Sequence, residues 1–255
     1  MKANIRCVII PLLMISFTAG KTITADVTGD GVSDQITMGL KTVVVKDGAT
    51  GILYTVVSEV PYLADISVGD YFHDTKGKEI AVITLPDHEY MTEVYGYRNK
   101  QFMNVSKTLP GDISFNKEGR LFGYRIHAWN GIEVNIPWPI VEEGGFLKPA
   151  PLVQQIDTNV IVEAGTTDEI SVTVQIRSLV VCAAAVLEKD AIVFLGDEDG
   201  TLISQKTIGA RMPFIATLYA DKDKTITLSI DNSQSEEQKI VYYLIRHFTL
   251  PVMKR

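Results

Sequence analysis

From residue 22 onward the chain is built of short segments rich in β-branched and aromatic residues, each stopped by Gly, Asp or Asn. "KTITADV", "DQITMGL", "KTVVVKD", "GILYTVV", "KEIAVITL", "TEVYGYR", "GYRIHAW", "ISVTVQIR", "AIVFLG", "KTITLSID" and "KIVYYLIRHF" all read this way. Period-two alternation in segments this short suits strands that bury one face, and no stretch carries the 3.6-residue repeat of an amphipathic helix. The chain is therefore expected to be all-β. "DGATG" at 47–51 has the turn chemistry of a hairpin, and "GDEDG" at 196–200 and "ADKDK" at 220–224 read as further hairpins. One segment, "SLVVCAAAVLEKDA" at 178–191, has helix-forming alanines beside strand-forming valines; its flanks favour a strand.

The first twenty residues stand apart. Lys2 and Arg6 precede the apolar run "VIIPLLMISFTA", and small residues follow at Thr18, Ala19 and Gly20. That is the layout of a signal peptide, cleaved after Gly20 or, as the rival site, after Ala19. The run is too short to cross a bilayer, and no later segment approaches the roughly 20 apolar residues of a transmembrane helix. Export to the periplasm or the extracellular space is expected, with no lipid anchor, because Cys7 lies away from the cleavage point. Removing Lys2 and Arg6 takes the formal net charge from −7 to −9, which makes a nucleic-acid partner improbable. It also leaves Cys182 without a partner for an intrachain disulfide; set among apolar neighbours, it reads as a buried thiol.

Aspartates recur at a spacing that suggests repeated units. Asp26 opens "DVTGDGVSDQI", Asp70 opens "DYFHDTKGKEIAVI" 44 positions later, and Asp112, 42 further on, opens a fainter third match. That period fits four-stranded units of the kind found in propeller blades. "PWPIVEEGGFLKPAPL" at 137–152, with its prolines and glycines, is read as interrupting the strand pattern and marking a boundary. The organisation expected is a signal peptide over 1–20, a β domain over 21–147, and a β-sandwich-like domain over 148–255. With only two or three propeller-like units visible, either further blades have diverged beyond recognition or, as preferred, the units form a partial sheet array whose edge the second domain covers.

The first unit carries the densest chemistry. In "DVTGDGVSD" side chains at positions 1, 3, 5 and 9 and the carbonyl of position 7 can converge on a calcium ion, a hard cation that takes six to eight oxygens. These are Asp26, Thr28, Asp30, Asp34 and the carbonyl of Val32, with Gly31 permitting the sharp turn. An EF-hand requires flanking helices and a Glu at position 12; here that position is Thr37 and the flanks are β-type. "ADVTGDGVSDQITM" resembles instead the FG-GAP or VCBS repeat, the calcium-bearing blade motif of integrin-α-type propellers, over about residues 22–110. The resemblance implies Ca2+ held by Asp26, Thr28, Asp30, Val32 and Asp34. In the second copy Phe72 stands at a ligand position, Thr75 replaces the glycine, and one extra residue precedes Glu79, which implies a structural, metal-free loop. The alternative for the first loop is a solvated, Asp-rich turn.

No catalytic constellation is visible. His73, His88, His127 and His247 are scattered singly, without an HExxH pair or a GxSxG elbow. "PDHEY" at 86–90 reads as a loop, and Glu142–Glu143 and Asp197–Asp199 read as turns, though either acidic group is a possible source of a glycosidase acid–base pair. Trp129 and Trp138 are read as core residues, with sugar stacking or partner anchoring as the alternative. The function expected is non-enzymatic: an exported calcium-binding protein that takes a polysaccharide or a protein partner. The rivals are an extracellular glycoside hydrolase and a structural subunit of a surface or secretion complex.

Overall fold

The computed structural model describes residues 20–72 and 75–251, so the expected leader, apart from Gly20, lies outside the described residues. The fold is all-β, and among the described residues the one helical element is a 3-10 turn at Pro86–His88. The strands form five antiparallel sheets, taken up in chain order.

The first sheet is a four-stranded meander of β1 (Thr22–Ala25), β2 (Asp34–Met38), β3 (Val43–Lys46) and β4 (Leu53–Val57). The second repeats that plan with β5 (Leu63–Gly69), β6 (Glu79–Thr84), β7 (Met91–Arg98) and β8 (Gln101–Asn104), and the two-residue β9 (Leu109–Pro110) also pairs with β7. The third is β10 (Ile113–Phe115), β11 (Leu121–Trp129), β12 (Ile132–Glu143) and β13 (Phe146–Pro149). The remaining strands are β14 (Leu152–Val162), β15 (Thr167–Val174), β16 (Ser178–Val186), β17 (Ala191–Asp197), β18 (Leu202–Ile208), β19 (Phe214–Ala220), β20 (Lys224–Asp231) and β21 (Lys239–Thr249). They divide into a fourth sheet, ordered β14-β21-β16-β19, and a fifth, ordered β15-β20-β17-β18.

Consecutive sheets share apolar cores. Val27, Ile36 and Val45 of the first sheet region pack with Ile66, Ile80 and Val82 of the second. Ala81 and Val94 of the second meet Ile113, Leu121 and Ile140 of the third. Trp129, Val134 and Ile136 of the third lie against Leu179, Val181, Ala183 and Leu244 of the fourth. Val180, Cys182, Ala184 and Tyr243 of the fourth face Val193, Leu195 and Leu228 of the fifth. The internal sheets are thus buried on both faces, which is why β6 and β16 read as continuous apolar runs instead of alternating. In β16 the small residues Cys182, Ala183, Ala184 and Ala185 let neighbouring layers approach, and the segment is a strand, as its flanks suggested.

Four sequence expectations change. "ADKDK" is not a hairpin turn, because β19 and β20 lie in different sheets and residues 220–224 carry the chain across the intervening core. The Asp112 match is not equivalent to the first two: Asp26 and Asp70 fall between the first and second strands of their sheets, whereas Asp112 precedes β10. The prolines of 137–152 do not interrupt the strand. Pro137 and Pro139 sit inside β12, whose residues 132–139 pair with β11 and whose residues 140–143 pair with β13. Each half thus has a ladder on one side only, and a missing N–H on the free side costs no bond. Finally, the C-terminal sheets cover a face of the third sheet, not an edge.

Candidate functional site

The acidic bend links β1 to β2, and its aspartates bind the loop's own backbone. Asp26 accepts the N–H of Gly29 on Oδ1 at 2.7 Å and that of Gly31 on Oδ2 at 2.9 Å. Asp30 Oδ1 accepts the Val32 N–H at 2.8 Å. Gly31 adopts φ +88°, a left-handed conformation that glycine reaches without strain.

Asp34 is different. It is fully buried, and its Oδ2 accepts the N–H of Val27 at 2.9 Å, the N–H of Thr28 at 3.0 Å and the Thr28 hydroxyl at 3.1 Å. Its Oδ1 accepts the Gly48 N–H at 2.9 Å, tying the bend to the β3–β4 turn. Three donors crowd Oδ2 and one takes Oδ1, so protein groups hold most of the acceptor positions of this carboxylate and leave one on Oδ1. Val32 keeps an exposed side chain.

Among the described residues no group of three His, Cys, Asp or Glu side chains is placed to hold a metal ion. Oδ2 of Asp34 would have to release a donor to ligate one, whereas its Oδ1 takes only the Gly48 N–H. In this arrangement the loop is braced by hydrogen bonds.

The second loop repeats the brace with other residues. Glu79, buried at the start of β6, accepts the Tyr71 N–H on Oε2 at 2.9 Å and the Thr75 hydroxyl on Oε1 at 2.6 Å. Aligning Asp26 with Asp70 puts Tyr71 opposite Val27 and, after the one extra residue, Glu79 opposite Asp34. Burial pushes the Glu79 carboxyl above its ordinary range, against the pull of the Thr75 hydroxyl and the backbone donors. The two loops also touch: Lys78 N–H donates to Asp26 O at 3.0 Å, and a Cβ on Gly77 would lie 2.8 Å from both Gly29 N and Val27 O.

Beside the first bend lies a depression of about 430 Å3, lined by Thr24, Ser33, Asp34, Gln35, Lys46, Asp47, Gly48 and Gly51. Asp47 opens the β3–β4 turn. The Thr50 N–H, with that of Ala49, holds its carboxyl below the usual range, both bonds being 2.8 Å. Between the first two sheets the hydroxyls of Tyr54 and Tyr97 are 3.0 Å apart. Tyr97 is pushed up to about 12, first by its bond to Tyr54, then by burial, with Asp47 and Asp34 adding to the effect. "DGATG" carries the turn chemistry of this hairpin, but nothing in a single segment announces that its Gly48 N–H meets Asp34.

The other sequence candidates sit elsewhere. "PDHEY" is an exposed turn with Asp87 and His88 at positive φ. Glu142 and Glu143 close the β12–β13 hairpin, where Glu143 pairs with Lys148. Asp197 caps the β17–β18 turn by accepting the Thr201 N–H at 2.9 Å. Trp129 is a core residue whose Nε1–H reaches Asp157 Oδ1 at 3.0 Å, while Trp138 is only partly buried and has the guanidinium groups of Arg125 and Arg246 each 5.1 Å from its ring centre. The fold also joins His247 to Ser178, Nε2 to Oγ at 2.7 Å, across 69 positions. Both are buried, so the pair ties β21 to β16 and meets no substrate. Cys182 is fully buried, and burial pushes its thiol up to about 12.

No family model matches the chain, and none of the curated proteins matches it. Among solved structures, an exo-β-1,3-galactanase from Phanerochaete chrysosporium with galactose is similar at 7% identity and a TM-score of 0.33, over 90% of this chain and 68% of that one. A β-fructofuranosidase from Bombyx mori is similar at 8% identity and a TM-score of 0.22, over 92% and 77%. An insecticidal delta-endotoxin from Bacillus thuringiensis is similar at 9% identity and a TM-score of 0.27, over 89% and 51%. At TM-scores of this size nothing is carried over from these proteins to this chain.

Proposed function

We propose that this is an exported, non-enzymatic binding protein whose first sheet takes a polysaccharide in the depression beside the acidic bend. The observation that carries the reading is the lining of that depression. Thr24, Ser33, Gln35, Lys46 and Asp47 border one space of about 430 Å3, residue types whose donors and acceptors suit a polyol. The three N-terminal meanders would be propeller-like units in a partial array, and the fourth and fifth sheets a β-sandwich-like domain that buries the array's last face.

Affinity electrophoresis of the mature protein through gels containing soluble polysaccharides tests this. Retardation by one polysaccharide, weakened in Gln35→Ala and Lys46→Ala, is the expected result. No retardation, with one stoichiometric protein recovered from an envelope pull-down, would replace it with the structural-subunit reading. Release of reducing sugar would replace it with glycoside hydrolysis.

A second reading places calcium in the bend. It is favoured by Asp26 and Asp30, whose bonded oxygens each take a single loop N–H and keep a further acceptor position. Titration calorimetry with calcium chloride would then show heat in the wild type that is absent in Asp30→Ala; no heat in the wild type rejects it.

A further inference from the structure

A second cluster, remote from the acidic bend, lies where the third sheet rests on the fourth. Trp138 of β12 has two guanidinium groups against its ring, those of Arg125 and Arg246, each 5.1 Å from the ring centre. Arg125 comes from β11 of the same sheet and is exposed; Arg246 comes from β21 of the sheet below and is only 7% exposed. Phe248, two residues along β21, meets the Trp138 ring edge-on at 5.0 Å and fixes it between the layers.

The charges here do not balance. Arg246 Nε–H donates to Gln155 Oε1 at 3.0 Å, but its Nη1 is buried without a hydrogen-bond partner among the described residues. No carboxylate forms an ion pair with either arginine among those residues. The nearby Asp157 is committed to Trp129 through Oδ1, and its Oδ2 faces His127 Nε2 at 3.3 Å. Burial, and then the charge of Arg125, hold the Arg246 pKa below its ordinary value. A buried guanidinium with an unmet N–H and a like charge beside it is costly to keep, and an anion at the rim relieves the excess positive charge. Arginine's planar fork also matches the geometry of an oxyanion.

We propose that Arg125, Arg246 and Trp138 form a binding site for an oxyanion, a carboxylate or sulfate group, at the seam between the third and fourth sheets. Arg125 at the rim captures the group, the enclosed Arg246 charge beneath it adds attraction, and Gln155 orients the Arg246 fork. The chain's overall negative charge makes this local positive seam selective in an otherwise repulsive surface.

The test uses the mature protein with sodium sulfate, sodium glucuronate and glucose as probes, sodium chloride being matched for ionic strength. Binding is read by tryptophan emission, which reports on Trp129 and Trp138, the two tryptophans of the chain, and by the shift in Tm. Sulfate or glucuronate is expected to shift both readouts beyond sodium chloride, with glucose inert. Arg125→Ala, an exposed change whose fold is checked by circular dichroism, is expected to weaken the affinity by about tenfold or more. Tighter binding of glucuronate than of sulfate assigns the group to an acidic sugar, and the reverse order assigns it to a free inorganic anion. Equal responses to sodium chloride, or unchanged affinity in Arg125→Ala, would overturn the proposal. Because Arg125 and Trp138 do not border the depression of the first sheet, loss of binding at one place leaves the other intact.

Discussion

At the scale of single residues, the two acidic loops show how one carboxylate can organise a turn. Asp34 satisfies three backbone N–H groups and a hydroxyl at zero exposure, so Asp34→Ala strands buried donors. The expected loss is about 2–4 kcal/mol, read as a lower urea midpoint with an unchanged slope. Glu79 does the same work in the second loop with one methylene more, and its raised pKa gives a signed pH effect. Native Glu79 holds its proton to higher pH than the unfolded chain does. Its stabilising contribution is therefore complete below the unfolded value of 4.5 and is lost as pH rises through the raised folded value. Urea midpoints measured from pH 4 to 7 should reveal this component in the wild type, and Glu79→Gln, which cannot ionise, should lack it. An identical pH profile in the two proteins would refute the assignment.

At the scale of elements, the loops and the shared strands set the tolerances. Gly77 passes so close to Gly29 and Val27 that a methyl group would collide with backbone atoms at 2.8 Å. Gly77→Ala should cost about 1–3 kcal/mol in chemical denaturation, since backbone yields less readily than a side-chain tip. Ala183 belongs to β16 and faces the third sheet from within the fourth, fully buried. Ala183→Leu should destabilise by a similar amount, about 1–3 kcal/mol, and lower the Tm in a calorimetric scan. A neutral outcome would mean that the third and fourth sheets separate more freely than their packing implies. The same logic explains the composition of "SLVVCAAAV": a strand with a layer on each side has room for small side chains, and its one hydroxyl, Ser178, meets His247.

At the scale of the whole molecule, the first three sheets follow one another in chain order, the fourth and fifth interleave their strands, and each sheet shares a core with the next. The first three sheets are local meanders, whereas β14 pairs with β21 across most of the C-terminal half, and the internal faces cannot be uncovered without cost. Ending the chain after Pro149 would expose Trp129, Val134 and Ile136, which now face β16 and β21. That fragment is expected to self-associate on size-exclusion chromatography, because it presents a contiguous apolar face to water. A monodisperse monomer would show that the three meanders close over their own core.

Much of this was legible in local sequence, and the part that was not has a common cause. The all-β character followed from "KTVVVKD", "KEIAVITL" and "KTITLSID", where period, β-branching and turn residues agree, and the spacing from Asp26 to Asp70 marked two sheets of one plan because their loops are braced alike. Pro137 and Pro139 misled because a proline's effect depends on which side of its strand carries a ladder. "ADKDK" misled because a turn-forming segment does not say whether the strands it joins will pair. Trp138, Arg125 and Arg246 lie on three strands of two sheets, with no spacing that connects them. The sequence by itself determined which segments become strands and where the chain turns, since those are governed by steric and solvation preferences within a few residues. Tertiary structure alone decided which sheet faces which, that Asp34 would be held by N–H groups from two turns, and that two arginines would meet over one indole, because each depends on atoms distant in the chain that are adjacent only once the layers are stacked.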